Sequence, residues 1–206
     1  MGMYNEPLAA VMVGLLLSLS AGVRITLPLL AVNLLAFRHV ITLPENVAWL
    51  GTEPTLIILS AAFAAETLIH FIPVVGTTLK AISTPLAFAA GTLLMAVPLG
   101  DHNPLYQWTL AAALGGGAAT LAHLGVTGAR AMTAPANVAS LGMFGIIWNI
   151  FELLGSLVLA LLGWVCVVAG WVVGAAILLV LAVLAAAALV KGFRSWPRGA
   201  RVISST

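Results

Sequence analysis

From Pro7 to Val190 the chain is a succession of apolar runs, each long enough to cross a lipid bilayer or nearly so, with almost no charge inside them. That pattern restricts the fold more than any motif. In hydrocarbon every backbone N–H and C=O must be satisfied within the protein, so only helices and closed barrels survive there. The runs cover 7–37, 54–75, 81–99, 105–124, 126–143, 144–165 and 167–190. They are rich in Leu and Ala and lack the period-two alternation of a membrane barrel. An all-α integral membrane protein follows. Composition agrees: 7% of the 206 residues are charged, against roughly 25% in a soluble domain. A net charge of +2 gives no reason to expect nucleic acid. The single cysteine, Cys166, excludes an internal disulfide. No Lys or Arg precedes Arg24, so the start reads as a retained first helix rather than a secretory signal.

The first run is anomalous. Its 31 residues would make a straight helix of about 46 Å, against a hydrocarbon core of about 30 Å. It also contains Gly22, Arg24 and Pro28. An unpaired Arg at that depth costs at least ~2.5–3.5 kcal/mol. Two half-helices, about 7–20 and 26–38, joined by an unwound stretch, are expected. The pattern recurs. Gly22-Val-Arg24-Ile-Thr26-Leu-Pro28 is matched by Gly128-Ala-Arg130-Ala-Met-Thr133-Ala-Pro135, with one extra residue in the second copy. Each copy is followed by two apolar runs, the first of which carries one carboxylate, Glu66 or Glu152.

The expected architecture is therefore about six transmembrane helices in two three-helix repeats, each opened by a broken helix. Repeat one is 7–100, repeat two is 104–190, and 191–206 is a tail; together they form one membrane domain. An odd number of crossings per repeat inverts one against the other, whereas re-entrant breaks would leave the two parallel. Lys191, Arg194, Arg198 and Arg201 in the tail set the C-terminus on the cytoplasmic side. The bacterial inner membrane is the expected location.

Three stretches carry a likeness to a known family: Ser20-Ala-Gly-Val-Arg-Ile-Thr-Leu-Pro-Leu-Leu30, Thr84-Pro85 with Ala90-Gly91, and Gly115-Gly-Gly-Ala-Ala-Thr-Leu-Ala-His123 ahead of Gly128-Ala-Arg130. Over roughly residues 8–160 the chain resembles the bacterial membrane family catalogued as domain of unknown function forty-one twenty-six. The Ser-x-Gly-x-Arg-x-x-x-Pro type of motif is the most specific part. The second half departs from it, with Ala134-Pro-Ala-Asn-Val-Ala139 where the family is more polar. The resemblance implies a polytopic membrane fold and no particular substrate.

Ten residues are candidates for a site. Gly22, Arg24, Thr26, Gly128, Arg130 and Thr133 are the substrate-binding set. A half-helix N-terminus with an adjacent guanidinium suits an anion. Glu66, His70, His123 and Glu152 are the proton-carrying or gating set; Glu66 and His70 stand one turn apart on one face. The competing reading pairs each Arg with a Glu, four charges summing to zero and stapling the halves together. In the same bland reading Thr26 and Thr133 satisfy backbone freed by Pro28 and Pro135, and Asn33 is interhelical glue. Asn149, three residues before Glu152, is expected to orient that carboxylate.

The sequence supplies no catalytic residue, cofactor motif or metal-ligand spacing. There is no Gly-x-Ser-x-Gly and no phosphate loop, and Asp101 is the only Asp, so no aspartyl pair exists. The expected function is a small transporter or channel for an anionic or polar solute, with a lipid phosphate among the solutes considered. Its partners would be the bilayer and a second copy of itself. The alternatives are a membrane scaffold with structural Arg–Glu pairs and, further off, an intramembrane enzyme acting on a lipid phosphate.

Overall fold

The computed structural model describes residues 7–70, 78–100, 103–140 and 142–169, with scattered helical positions between 176 and 187. Among these residues there are helices and no strands. The tail, Asp101 and the Gly170–Gly174 stretch lie outside the described residues, and so do the side chains of His70, Lys80 and Cys166.

The first run does break. Helix α1 (Pro7–Val23) stops before Arg24, and α2 (Thr26–Phe37) starts after Ile25. Pro28, in the first turn of α2, is the cause. Its ring opposes the carbonyl four residues back, which is Arg24 itself, and it has no N–H to give. At 17 and 12 residues the two are about 26 and 18 Å long, so neither reaches across the core alone.

A 3-10 turn over Glu45–Gly51 leads into α3 (Glu53–His70), with a bend of 62° between them. Val47 and Leu50 are buried, and the Asn33 amide on α2 donates to the carbonyls of Leu50 and Thr52. Asn33 thus pins this outer turn to α2. Helix α4 (Thr78–Leu99) follows, then α5 (Pro104–Leu110), a π-helical turn (Ala111–Gly116), α6 (Gly117–Ala139) and α7 (Met143–Ala169).

Among the described residues three helices are long and apolar enough to cross a membrane, or four if the bent pair at 45–68 counts as one. They include Ile82–Leu99, Pro104–Pro135 and Met143–Gly163.

Helix α1 is the axis. It packs along α4, α6 and α7, and Val13, Leu16, Leu17, Ser18, Ser20 and Ala21 are all buried. Its two inward serines have partners. Ser18 Oγ donates to Gly91 O on α4 at 2.8 Å. Ser20 and Ser156 on α7 each donate to the other's carbonyl, at 2.8 and 3.1 Å. On α4, Gly91 sits so close to Gly115 that a Cβ on either would overlap the other's carbonyl. The π-helical turn brings those glycines together.

Helix α7 is inverted relative to a soluble helix. Asn149, Glu152, Ser156 and Ala160 form its buried face against α1, while Ile147, Ile150, Phe151, Leu154 and Leu161 are exposed. Polar groups inward and apolar groups outward is the pattern that a lipid solvent selects.

The second break is not there. Helix α6 runs unbroken through Gly125, Gly128, Arg130 and Pro135. Pro135 removes the backbone bond to the Ala131 carbonyl, and the Thr133 hydroxyl does not replace it; it donates to the carbonyls of Ala129 and Arg130, at 3.1 Å each. The deeper reason lies in the neighbouring acid. Breaking a helix in hydrocarbon strands N–H groups. At Arg24 the neighbouring acid bonds those groups; at Arg130 it bonds the Arg side chain instead.

Candidate functional site

The break between α1 and α2 is the centre of a polar cluster built from six helices. Arg24 is 1% exposed. Its Nη1 donates to Thr67 Oγ1 on α3 at 3.2 Å, and its Nη2 donates to Asn149 Oδ1 on α7. Its Nε has no hydrogen-bond partner among the described residues.

The N-terminus of α2 holds a carboxylate. Glu66 on α3 accepts from Ile25 N through Oε1 at 3.2 Å and from Thr26 N through Oε2 at 3.1 Å, and the Thr26 hydroxyl donates to Oε2 as well. Two of the backbone donors freed by the break are met, and the negative group sits at the positive end of the helix dipole.

The C-terminal end of α1 is met from the other side. His123 Nδ1 approaches Gly22 O at 3.3 Å. A carbonyl only accepts, so Nδ1 carries the proton. In the neutral ring Nε2 then accepts from the Ser83 hydroxyl, 3.0 Å away on α4. Gly22 itself is a contact residue. A Cβ there would overlap Ala119 and Ala122 of α6.

Beside this lies a second charged unit. Arg130 Nε donates to Glu152 Oε1 at 2.5 Å, and Nη2 donates to Oε2, a two-pronged pair. Trp148 Nε1 also donates to Oε1 at 2.5 Å. The Glu152 side chain is 6% exposed and that of Arg130 is 31% exposed. Both acids and Arg130 act electrostatically on Arg24, so the two units form one charged centre.

The structure therefore gathers Arg24, Thr26, Glu66, Arg130, Glu152 and His123. It leaves Gly128 with open space around it and Thr133 bonded to its own helix. Asn149 does not orient Glu152; it accepts from Arg24, and Trp148 takes the orienting place. Thr67 is a partner that sequence reasoning missed, although it adjoins Glu66 on the same helix. Ser20 with Ser156 is another, and a serine inside each of two apolar runs was the available signal. Among the described residues no group of three or more His, Cys, Asp or Glu stands close enough to hold a metal ion.

No curated protein and no solved structure matches the chain. The Arg24 motif, the buried polar centre and the paired glycines of α4 and the π-helical turn all lie within residues 11–189, which match one family model, and the chain belongs to that family, described as domain of unknown function (DUF4126).

Proposed function

We propose that the chain is a small membrane transporter or channel that passes an anionic or polar solute through the break between α1 and α2. One observation carries this reading. The N-terminus of α2, directly after the buried Arg24, receives a carboxylate delivered by a separate helix. A locus that accepts an internal anion can accept an external one that displaces it. Ionisable groups at this depth are costly, and their retention marks solute pathways in membrane proteins.

In this mechanism Arg24 and the α2 donors bind, and Glu66 gates by leaving. Arg24, Arg130, Glu66 and Glu152 carry charges that sum to zero. A bound anion leaves the centre with one negative charge too many, and a proton on Glu66 restores balance. His123 and Glu152 are the neighbouring groups able to pass that proton. His70 follows Glu66 by one turn in the sequence of α3 and is the remaining candidate for that route.

The topology that accompanies this reading has six crossings. They are α1 with α2 as one broken crossing, α3, α4, the run from α5 to α6, α7, and the apolar run that follows α7. Two three-helix halves of this kind are inverted, with the C-terminus cytoplasmic in a bacterial inner membrane. The pairing of each Gly-x-Arg segment with the acid of its own half supports the kinship of the halves. So small a bundle is expected to work as a homo-oligomer.

The test is flux of anions into liposomes containing the purified chain. Arg24→Gln keeps an amide donor for its neighbours but loses the charge; it is expected to abolish flux while remaining folded. Unchanged flux through folded Arg24→Gln protein sinks the proposal.

The two-pronged bond of Arg130 to Glu152 favours a second reading for that unit, a structural staple in a non-transporting scaffold. If so, Arg130→Glu and Glu152→Arg each destabilise the protein, and the double exchange recovers at least half of the loss. Unfolding of the four proteins in detergent measures this.

A further inference from the structure

The way Glu66 is held points to the kind of anion the break accepts. Its two oxygens are used separately: one meets Ile25 N–H, the other meets Thr26 N–H and the Thr26 hydroxyl. Those donors fit a planar group with two oxygens. A helix end ordinarily offers a string of free N–H groups to a phosphate. Here Pro28 interrupts the string, since it has no N–H. The three donors that Glu66 occupies match the two oxygens of a carboxylate, whereas a tetrahedral anion needs a further donor for each additional charged oxygen.

The second observation is Arg24. It adjoins these donors in the chain, it is 1% exposed, and its Nε is unpartnered among the described residues. It is held from two sides by Thr67 and Asn149, so its position is fixed, and Glu66 is among the charges it feels. The guanidinium thus keeps its charge beside the break and one donor that its protein partners leave unused. Glu66 and Thr26 are only half-buried, so a small solute can reach the place that the carboxylate holds.

We infer that the break is a carboxylate site for small monocarboxylates, with Glu66 as its built-in occupant. This rests on the transport reading for its purpose but not for its chemistry, and the two are separable.

The experiment is chemical rescue. Full-length Glu66→Ala is purified in detergent, and its thermal unfolding is followed in sodium formate, acetate, phosphate and chloride at matched ionic strength. Wild type is run beside it. A ligand that binds only the folded state raises the midpoint by mass action. Formate and acetate are expected to raise the midpoint of Glu66→Ala by several degrees. Phosphate and chloride are expected to raise it much less, and wild type should shift less than Glu66→Ala, because its own carboxylate competes for the site. Equal rescue by phosphate or chloride, or no rescue by any anion, overturns the inference. If Glu66→Ala can be isolated only when acetate is present throughout, that is the rescue; failure to isolate it in any of the four salts counts against the site. Labelled acetate flux through wild type in liposomes separates the two claims. Rescue without flux keeps the carboxylate site and overturns transport, whereas flux without rescue keeps transport and overturns the site.

Discussion

The two Gly-x-Arg segments start from nearly the same residues and reach opposite structures. At Gly22–Pro28 the helix breaks, Arg24 is fully buried on neutral partners, and the nearby acid caps the backbone. At Gly128–Pro135 the helix continues, Arg130 is partly exposed, and the nearby acid grips the guanidinium. One acid serves each segment, and its target decides the form. A carboxylate that reaches the freed N–H groups makes a break tolerable in lipid. A carboxylate held by the Arg leaves nothing to meet such groups, so the backbone keeps its own bonds. The lesson is that a repeated motif specifies a pair of groups to be satisfied, and the neighbouring helix chooses how.

The largest contrast is expected between the two arginines. Arg24→Leu removes the partner of Asn149 and Thr67 within a buried cluster and strips a balancing charge; losses of this type run to about 3–5 kcal/mol. Arg130→Leu is expected to cost less, about 2–3 kcal/mol, because Arg130 is partly exposed, although it leaves the buried Glu152 carboxylate with only the Trp148 N–H. Unfolding in detergent by heat or denaturant compares them. Equal losses would remove the distinction drawn between the sites.

A smaller effect separates the two glycines. Gly22→Ala puts a methyl group into the backbone and side chains of Ala119 and Ala122, and overpacking of this kind costs about 1–3 kcal/mol. Gly128→Ala meets nothing within 4 Å and gains helix propensity, up to about 1 kcal/mol of stabilisation. The same unfolding measurement reads both. Opposite signs are expected, and a shared sign would mean that the two segments are packed more alike than the contacts indicate.

Much of this was legible in the chain alone. Long uncharged runs dictated helices, because hydrocarbon cannot solvate an open backbone. Pro28 four residues after Arg24 favoured the first break, because the ring and the missing N–H act locally, and Glu66 made it tolerable by meeting the freed donors. The choice of Arg24, Glu66, Arg130 and Glu152 as a set followed from the cost of charge in an apolar run. Asn33 was read as glue and does bind α2 to the 3-10 turn. The same local logic failed at Pro135. There, the spacing resembled Pro28, yet the outcome depended on where Glu152 pointed, and no periodicity carries that information.

Sequence by itself therefore determined the helices, their apolar character and the identity of the groups that must be matched. These follow from short-range sterics and from the free energy of each residue in lipid. Only the tertiary structure decided the matching. Glu66 went to a helix end and Glu152 to a guanidinium, Arg24 went to Asn149 and Thr67, and Ser20 went to Ser156. Each of these partners comes from a different helix. Their choice is set by how α1 is enclosed by α4, α6 and α7, a packing geometry that depends on all the interfaces at once.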